Sequence, residues 1–270
     1  LSKLLLIDGS GLMHRAWHSC RKNREAVGSR FFSFFRDLVD GESPTHYAIA
    51  FDPPREGLYR IGVWPEYKGH RPETPPEQRE FFDLVRKGCH EAGIPTFVDP
   101  NWEADDVMGT LAQLEADEVV LCTSDKDMAQ LITDRVRTYD PQQRRHLDRV
   151  TAEAVFGCRI DQIPGLLALC GDRADNIPGM PGVGRKGAQK ILAELDTISE
   201  IIDSGFYEEH GEDLAKFLDL TIIRTDLDHG VLLEDLAVRP IEFQTPSLKA
   251  IRAQAAARAL SGSLAPKNKE

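Results

Sequence analysis

The sequence predicts an α/β fold: a mainly parallel central sheet flanked by helices, followed by a smaller helical region. Short apolar runs alternate with helical stretches across residues 1–150, the pattern of a parallel sheet. Several of those runs end directly in an aspartate. From about Thr151 strands give way to short helical segments and a block rich in glycine and proline.

Residues 3–7 read as a buried strand ending at Asp8-Gly-Ser-Gly11, a turn into a helix that carries Arg15. Residues 31–39 form a helical stretch whose aromatics belong to the core. Residues 47–51 are the next strand, ending at Asp52-Pro-Pro54, and a Pro-rich segment over 53–80 reads as mobile. Residues 76–92 are helical and 95–98 a brief strand. Asn101 is the expected N-cap of the following helix, with Glu103, Asp105 and Asp106 in its first turn. Val107, Met108, Leu111 and Leu114 give that helix an apolar stripe. Residues 118–122 are a strand ending at Thr123-Ser-Asp125-Lys-Asp127, and 136–139 another. The predicted organisation is an α/β core over 1–150, a helical subdomain over 151–245, and a terminal helix (250–260) with a polar tail over 246–270.

An apolar fraction of 41% and a charged fraction of 29% are those of a globular protein. No apolar run approaches the ~20 residues of a membrane span, and no membrane partner is expected. The chain opens at Leu1 without Met, as if numbered from inside a longer product, and shows no signal-peptide pattern. Five widely spaced cysteines without a C-x-x-C pair point to reduced thiols in a cytoplasmic protein and away from a zinc site.

Ligands of parallel sheets bind at the carboxyl ends of the strands, which places Asp8, Asp52 and Asp125 on one edge. Glu103, Asp105 and Asp106 join them, and Asp127, Asp172 and Asp175 complete a set of nine. A single acidic first turn is also what a helix dipole favours, but so many anions on one edge require cations. Oxygen ligands without His or Cys select Mg²⁺ or Mn²⁺. More carboxylates than one ion uses suggest two ions ~4 Å apart, the apparatus of phosphodiester hydrolysis. Setting these nine charges apart from the net −11 leaves a nearly neutral remainder, so the acidity belongs to the site and does not exclude DNA.

The second motif is the glycine hairpin over residues 177–188, with Gly179, Gly182, Val183 and Gly184 followed by Arg185, Lys186 and Lys190. Its backbone N–H groups suit a phosphate, and the segment has the form of a helix–hairpin–helix DNA-backbone binder at about 166–192. An ordinary turn between helices gives the same glycines; the flanking cations and nearby acids favour phosphate binding. A third segment holds Tyr67, Lys68 and Arg71, where the cations are within reach of a phosphate and the ring of a base. On spacing alone it reads as a solvated basic loop. No P-loop or G-x-S-x-G is present.

Taken in order, Ile7-Asp-Gly-Ser, Phe51-Asp, Tyr67-Lys-Gly-His-Arg, Glu103-Ala-Asp-Asp-Val, Ser124-Asp-Lys-Asp and Gly171-Asp-x-x-Asp-Asn-Ile-Pro-Gly-x-Pro-Gly-Val-Gly resemble the 5′ nuclease domain of bacterial DNA polymerase I. More broadly they resemble the flap endonuclease superfamily, over about residues 3–195. The resemblance implies a PIN-like 5′ nuclease fold with a helical arch at about 55–90. It implies Mg²⁺-dependent hydrolysis of DNA with a free 5′ end, as exonuclease and on 5′ flaps or branched duplexes, in replication and repair. By that likeness Asp8, Asp52, Glu103 and Asp105 surround one metal, with Asp106 as a direct or outer helper. Asp125, Asp127 and Asp172 or Asp175 serve the other. Lys68 would contact the scissile phosphate, with Arg71 and Arg15 assisting, and the hairpin is similar to sites that also hold K⁺. The alternatives are a branched-DNA-binding protein without catalysis and a related metal-dependent ribonuclease. The expected setting is cytoplasmic, at the nucleoid, either as a stand-alone nuclease or as a polymerase domain; no protein partner is legible.

Overall fold

The computed structural model describes residues 1–204 and 211–239; the helix expected at 250–260 and the tail lie outside the described residues. The chain divides into two compact units. Leu1–Ser10, Pro44–Glu73 and Phe97–Val238 form the first, and Gly11–Ser43 with Thr74–Thr96 belong to the second. The helical region thus shares a unit with the sheet, while two helical excursions out of the sheet segregate together.

The sheet has six strands in the order β3-β2-β1-β4-β5-β6. These are β1 (Lys3–Asp8), β2 (His46–Ala50), β3 (Thr96–Phe97), β4 (Glu118–Cys122), β5 (Val136–Asp140) and β6 (Arg145–Leu147). β1 runs parallel to β2 and β4, and β4 parallel to β5. Leu4, Leu5, Leu6 and Ile7 are all fully buried, as continuous apolar runs in two-sided parallel sheets are. The chain leaves β1 toward β2 and later returns to the other side of β1 as β4, so a topological switch point lies between β1 and β4. β6, which the sequence did not predict, returns antiparallel to β5 after a turn with Arg144 at φ +52°. It is a short, mostly exposed edge strand with little apolar signal.

Helix α5 (Ala104–Leu111) begins two residues later than expected, with Glu103 rather than Asn101 as its N-cap. Asp99 is the reason: its Oδ1 accepts the N–H groups of Asn101 and Trp102 at 2.8 and 3.1 Å, closing a turn that keeps residues 99–102 out of the helix. In the same unit stand α3 (Tyr59–Val63), α6 (Arg149–Phe156), α7 (Ile163–Cys170), α8 (Arg185–Glu194), α9 (Ile198–Asp203) and α10 (Gly211–Thr221). α7 is apolar nearly all round and buries Ile163, Leu166, Leu167 and Leu169 against α8 and α10, as a central helix must. Residues 222–238, which carry no sequence motif, form a strap held by Gln130, Asp106 and Thr110 and by a Val238 N–H bond to the Thr45 carbonyl.

The second unit contains α1 (Gly9–Ser19) beyond its first two residues, α2 (Val27–Glu42) and α4 (Pro76–Glu91). Trp17 and Phe81 rings lie 5.9 Å apart, and Phe31 and Phe32 meet edge to face at 5.3 Å. The expected arch at 55–90 therefore spans both units.

Candidate active site

The strands deliver their aspartates as the alternation predicts. Asp8 ends β1, Asp52 follows β2 and Asp125 follows β4. Thr123 ties two of them, donating its hydroxyl to Asp8 at 3.1 Å and accepting the Asp125 N–H at 3.0 Å. Asp52 accepts the Ala104 N–H at 2.9 Å, so one carboxylate both faces this edge and caps α5. Gly9 permits the sharp exit from β1, because a Cβ there would stand 2.3 Å from the Phe51 ring.

The electrostatics divide the acids into two overlapping groups. Burial and the charges of Asp125, Asp8 and Asp52 hold the partly buried Asp105 carboxyl well above its ordinary range, against the pull of Lys68. Burial and then Asp125, Asp172 and Asp175 push Asp127 up to about 8. Asp125 belongs to both groups. Asp127 Oδ1 is also buried without a hydrogen-bond partner, with the Lys126 ammonium 3.9 Å away as its ion-pair partner, a costly state for a carboxylate oxygen. Among the described residues no three of these side chains already stand as a formed metal cage. The all-oxygen donors, the raised Asp105 and Asp127 and the orphaned oxygen nevertheless fit hard divalent cations. Two ammonium groups supply positive charge: Lys126 Nζ donates to Asp172 Oδ2 at 2.9 Å, and Lys68 Nζ to Glu103 Oε1 at 2.6 Å. Burial opposes the charge on Asp172, but the Lys126 bond and the Ala174 N–H hold its carboxyl below the usual range.

Three expected roles need correction. Asp106 is fully buried and spent: its oxygens accept a two-pronged Arg60 contact at 2.5 and 2.8 Å, the Glu103 N–H and the Arg224 N–H. It is a structural counter-ion, not a metal ligand. Tyr67 is 2% exposed, with its hydroxyl donor shared between Glu103 at 2.7 Å and Asp175 at 3.0 Å, so its ring presents no face to a base. Glu103 itself is enclosed by Arg60 at 3.0 Å, Tyr67 and Lys68. Although burial opposes its charge, Lys68 and Arg60 keep its carboxyl low. As it stands, Glu103 anchors Lys68 instead of offering free oxygens.

The segment around Lys68 is pinned rather than mobile. Arg55 donates to the Pro65 and Tyr67 carbonyls, and Arg71 donates to Asp175 Oδ1 at 2.8 Å. Neither Arg60 nor Lys126 was singled out in the sequence. A lone arginine between the apolar Leu58 and Ile61 and the lysine between two aspartates were the available signals. Arg15 lies in the second unit, its guanidinium 4.2 Å from the Phe34 ring centroid.

The glycine block joins α7 to α8 as a hairpin. Gly182 (φ +76°) is open to solvent, and Gly184 precedes α8 as an N-cap with no side-chain hydrogen bond and no acid in the first turn. The first N–H groups of α8 are thus available to an anion. Lys186 and Lys190 are exposed. Gly179 and Arg185 serve the framework instead. A Cβ on Gly179 would meet Gly171 N at 2.2 Å, and Arg185 donates to the α6 carbonyls of Val155 and Phe156.

The mainly parallel sheet thus carries its acids toward the switch point, and the helical region of the same unit carries the glycine hairpin. The family model for the 5′-3′ exonuclease N-terminal resolvase-like domain matches residues 3–157, and that for the 5′-3′ exonuclease C-terminal SAM fold matches residues 158–244. The chain belongs to the 5′-3′ exonuclease family. DNA polymerase I of Bacillus caldotenax is 35% identical over 260 residues, covering 87% of this chain and 29% of the polymerase. The chain therefore spans less than a third of such relatives. The 5′-3′ exonuclease of Aquifex aeolicus is 29% identical over 254 residues, 88% of each. Among solved structures, T5 5′-exonuclease with bound zinc superposes with a TM-score of 0.73 at 25% identity, covering 81% of this chain and 89% of that one. The catalytic core of Rad2 in complex with DNA substrate shares the fold, with a TM-score of 0.52 at 18% identity over 91% of this chain and 81% of that one.

Proposed function

We propose that this chain hydrolyses DNA from a free 5′ end, as a 5′–3′ exonuclease and as an endonuclease on 5′ flaps, in replication and repair at the nucleoid in the cytoplasm. The observation that carries the reading is the pair of overlapping carboxylate groups at the β1/β4 switch point, centred on Asp125. Asp8, Asp52, Asp105 and Asp125 would hold one Mg²⁺ ion and Asp125, Asp127, Asp172 and Asp175 a second, with Mn²⁺ able to substitute. When bound, such ions activate water and neutralise charge on the scissile phosphate and leaving oxygen. Lys68, whose ammonium is held charged by Glu103 and Asp175 against the cost of burial, orients the scissile phosphate. Arg71, on the same turn, extends that positive rim. The hairpin from Gly182 to Gly184 holds the duplex through its backbone, with Lys186 and Lys190 contributing charge; K⁺ bound at its carbonyls would complete the contact. Contacts of this kind grip without reading bases.

The test is a 5′-flap DNA labelled at each end, incubated with Mg²⁺ beside a blunt duplex and a matched RNA flap. Cleavage next to the DNA junction is expected, together with its loss in Asp125→Asn, by about a thousandfold or more for several kcal/mol of charge stabilisation. DNA binding in Ca²⁺ should survive that substitution. Binding without cleavage by the unaltered chain would make it a recognition module, and preferential cleavage of the RNA flap would make it a ribonuclease.

A further inference from the structure

Two residues other than glycine near this site have left-handed backbones, Lys68 at φ +52° and Asn176 at φ +59°. Such a conformation is costly for lysine and tolerated by asparagine. The two are locked to each other. Lys68 N–H donates to the Asp175 carbonyl at 2.9 Å, and Asn176 Nδ2 donates to the Glu66 carbonyl at 2.8 Å. Each left-handed residue is thus clamped by a bond from the turn that contains the other. The Glu66 carbonyl also receives Gly69 N–H at 2.8 Å, and a Cβ on Gly69 would lie 2.9 Å from that same oxygen.

The turn bearing Asn176 is itself rigid. Asp172 and Ile177 exchange both backbone hydrogen bonds, at 2.9 and 2.8 Å, and Met180 N–H reaches back to the Leu169 carbonyl at 2.7 Å. This frame is continuous with the glycine hairpin, so the segment that grips phosphate and the turn that presents Lys68 share one rigid support.

We propose that Asn176 is a positioning residue: its amide holds the residue 66–69 turn so that the strained Lys68 backbone aims the ammonium at the reacting phosphate. The inference rests on the nuclease reading above. Asn176 reaches the reaction through Lys68 and the Asp175 carbonyl, and touches neither substrate nor metal. Removing the amide takes away the one side-chain bond that Asn176 gives the residue 66–69 turn, which loosens the turn and lowers the fraction of chains with the ammonium in place.

The experiment is single-turnover cleavage of the 5′-flap DNA in Mg²⁺, with binding measured in Ca²⁺, for N176G, N176A, K68A and the N176A/K68A double variant. Glycine keeps the left-handed backbone and loses only the amide. N176G is expected to slow cleavage by about tenfold, the size of one lost hydrogen bond, with DNA affinity unchanged. In the K68A background, N176A should slow cleavage no further, because two residues acting through one group are not additive. N176G at the unaltered rate, or N176A multiplying the K68A defect, would overturn the proposal while leaving the nuclease reading intact. Failure of the unaltered chain to cut DNA would overturn both. Circular dichroism melting of each variant identifies one that does not fold, and N176G then carries the test, since its backbone requirement is met.

Discussion

Arg60 offers a sharp test of what holds the site. It is 4% exposed, and its guanidinium donates to Asp106, Glu103 and the Leu220 and Ile222 carbonyls. Arg60→Met keeps much of the side-chain volume and removes every one of these donors. Asp106 then stays buried with only backbone N–H partners, and breaking such a pair costs about 3–5 kcal/mol. The two stranded carbonyls add about 1–3 kcal/mol each unless water reaches them. Against a typical total of about 5–15 kcal/mol, the variant should unfold at markedly lower urea, with a midpoint shift corresponding to at least about 3 kcal/mol. Arg159, which forms similar contacts to Asp161 and Asp196 at the surface, provides the control: Arg159→Met should leave the midpoint where it was. An Arg60→Met midpoint no lower than that control would refute the assignment of Arg60 and Asp106 as a buried structural pair.

Three further outcomes are expected. Asp127, Asp105 and Asp175 have raised carboxyls, so without divalent ions the native state retains protons that the unfolded chain has released. The resulting stability is full below the ordinary carboxylate range and lost as pH rises toward about 8. Melting temperature in EDTA should fall across that window, and saturating Mg²⁺ should flatten the slope; parallel profiles with and without Mg²⁺ would count against these acids as the binding groups. Gly179→Ala should destabilise by about 2–4 kcal/mol from overpacking and a left-handed alanine, whereas the open Gly182→Ala should cost about 1 kcal/mol, both read by urea unfolding. Alanine at Lys186 or Lys190 should weaken duplex binding at every sequence and lower the salt slope by about one each, with the rate at saturating DNA unchanged.

What the residues alone determined were features set by local pattern. A short apolar run such as residues 4–7, alternating along the chain with helical stretches, suits a strand buried on both faces of a parallel sheet, and an aspartate ending such a strand lands on the carboxyl edge. Asp8, Asp52 and Asp125 were legible for that reason, as was the hairpin, whose glycines answer a local backbone demand. Tertiary structure decided how the neighbouring carboxylates are used, because that depends on partners far away in sequence. Asp105 and Asp106 are adjacent on one helix, yet Asp105 faces other acids while Asp106 turns inward to Arg60 and the Arg224 N–H. Tyr67 and Lys68 likewise have the spacing of a solvated loop, and it is Glu103 and Asp175 that enclose them. A side chain's charge and spacing are written in the sequence, but whether it meets water, a cation or a counter-ion is fixed only when distant segments pack and the cost of burying each charge is met by a particular partner.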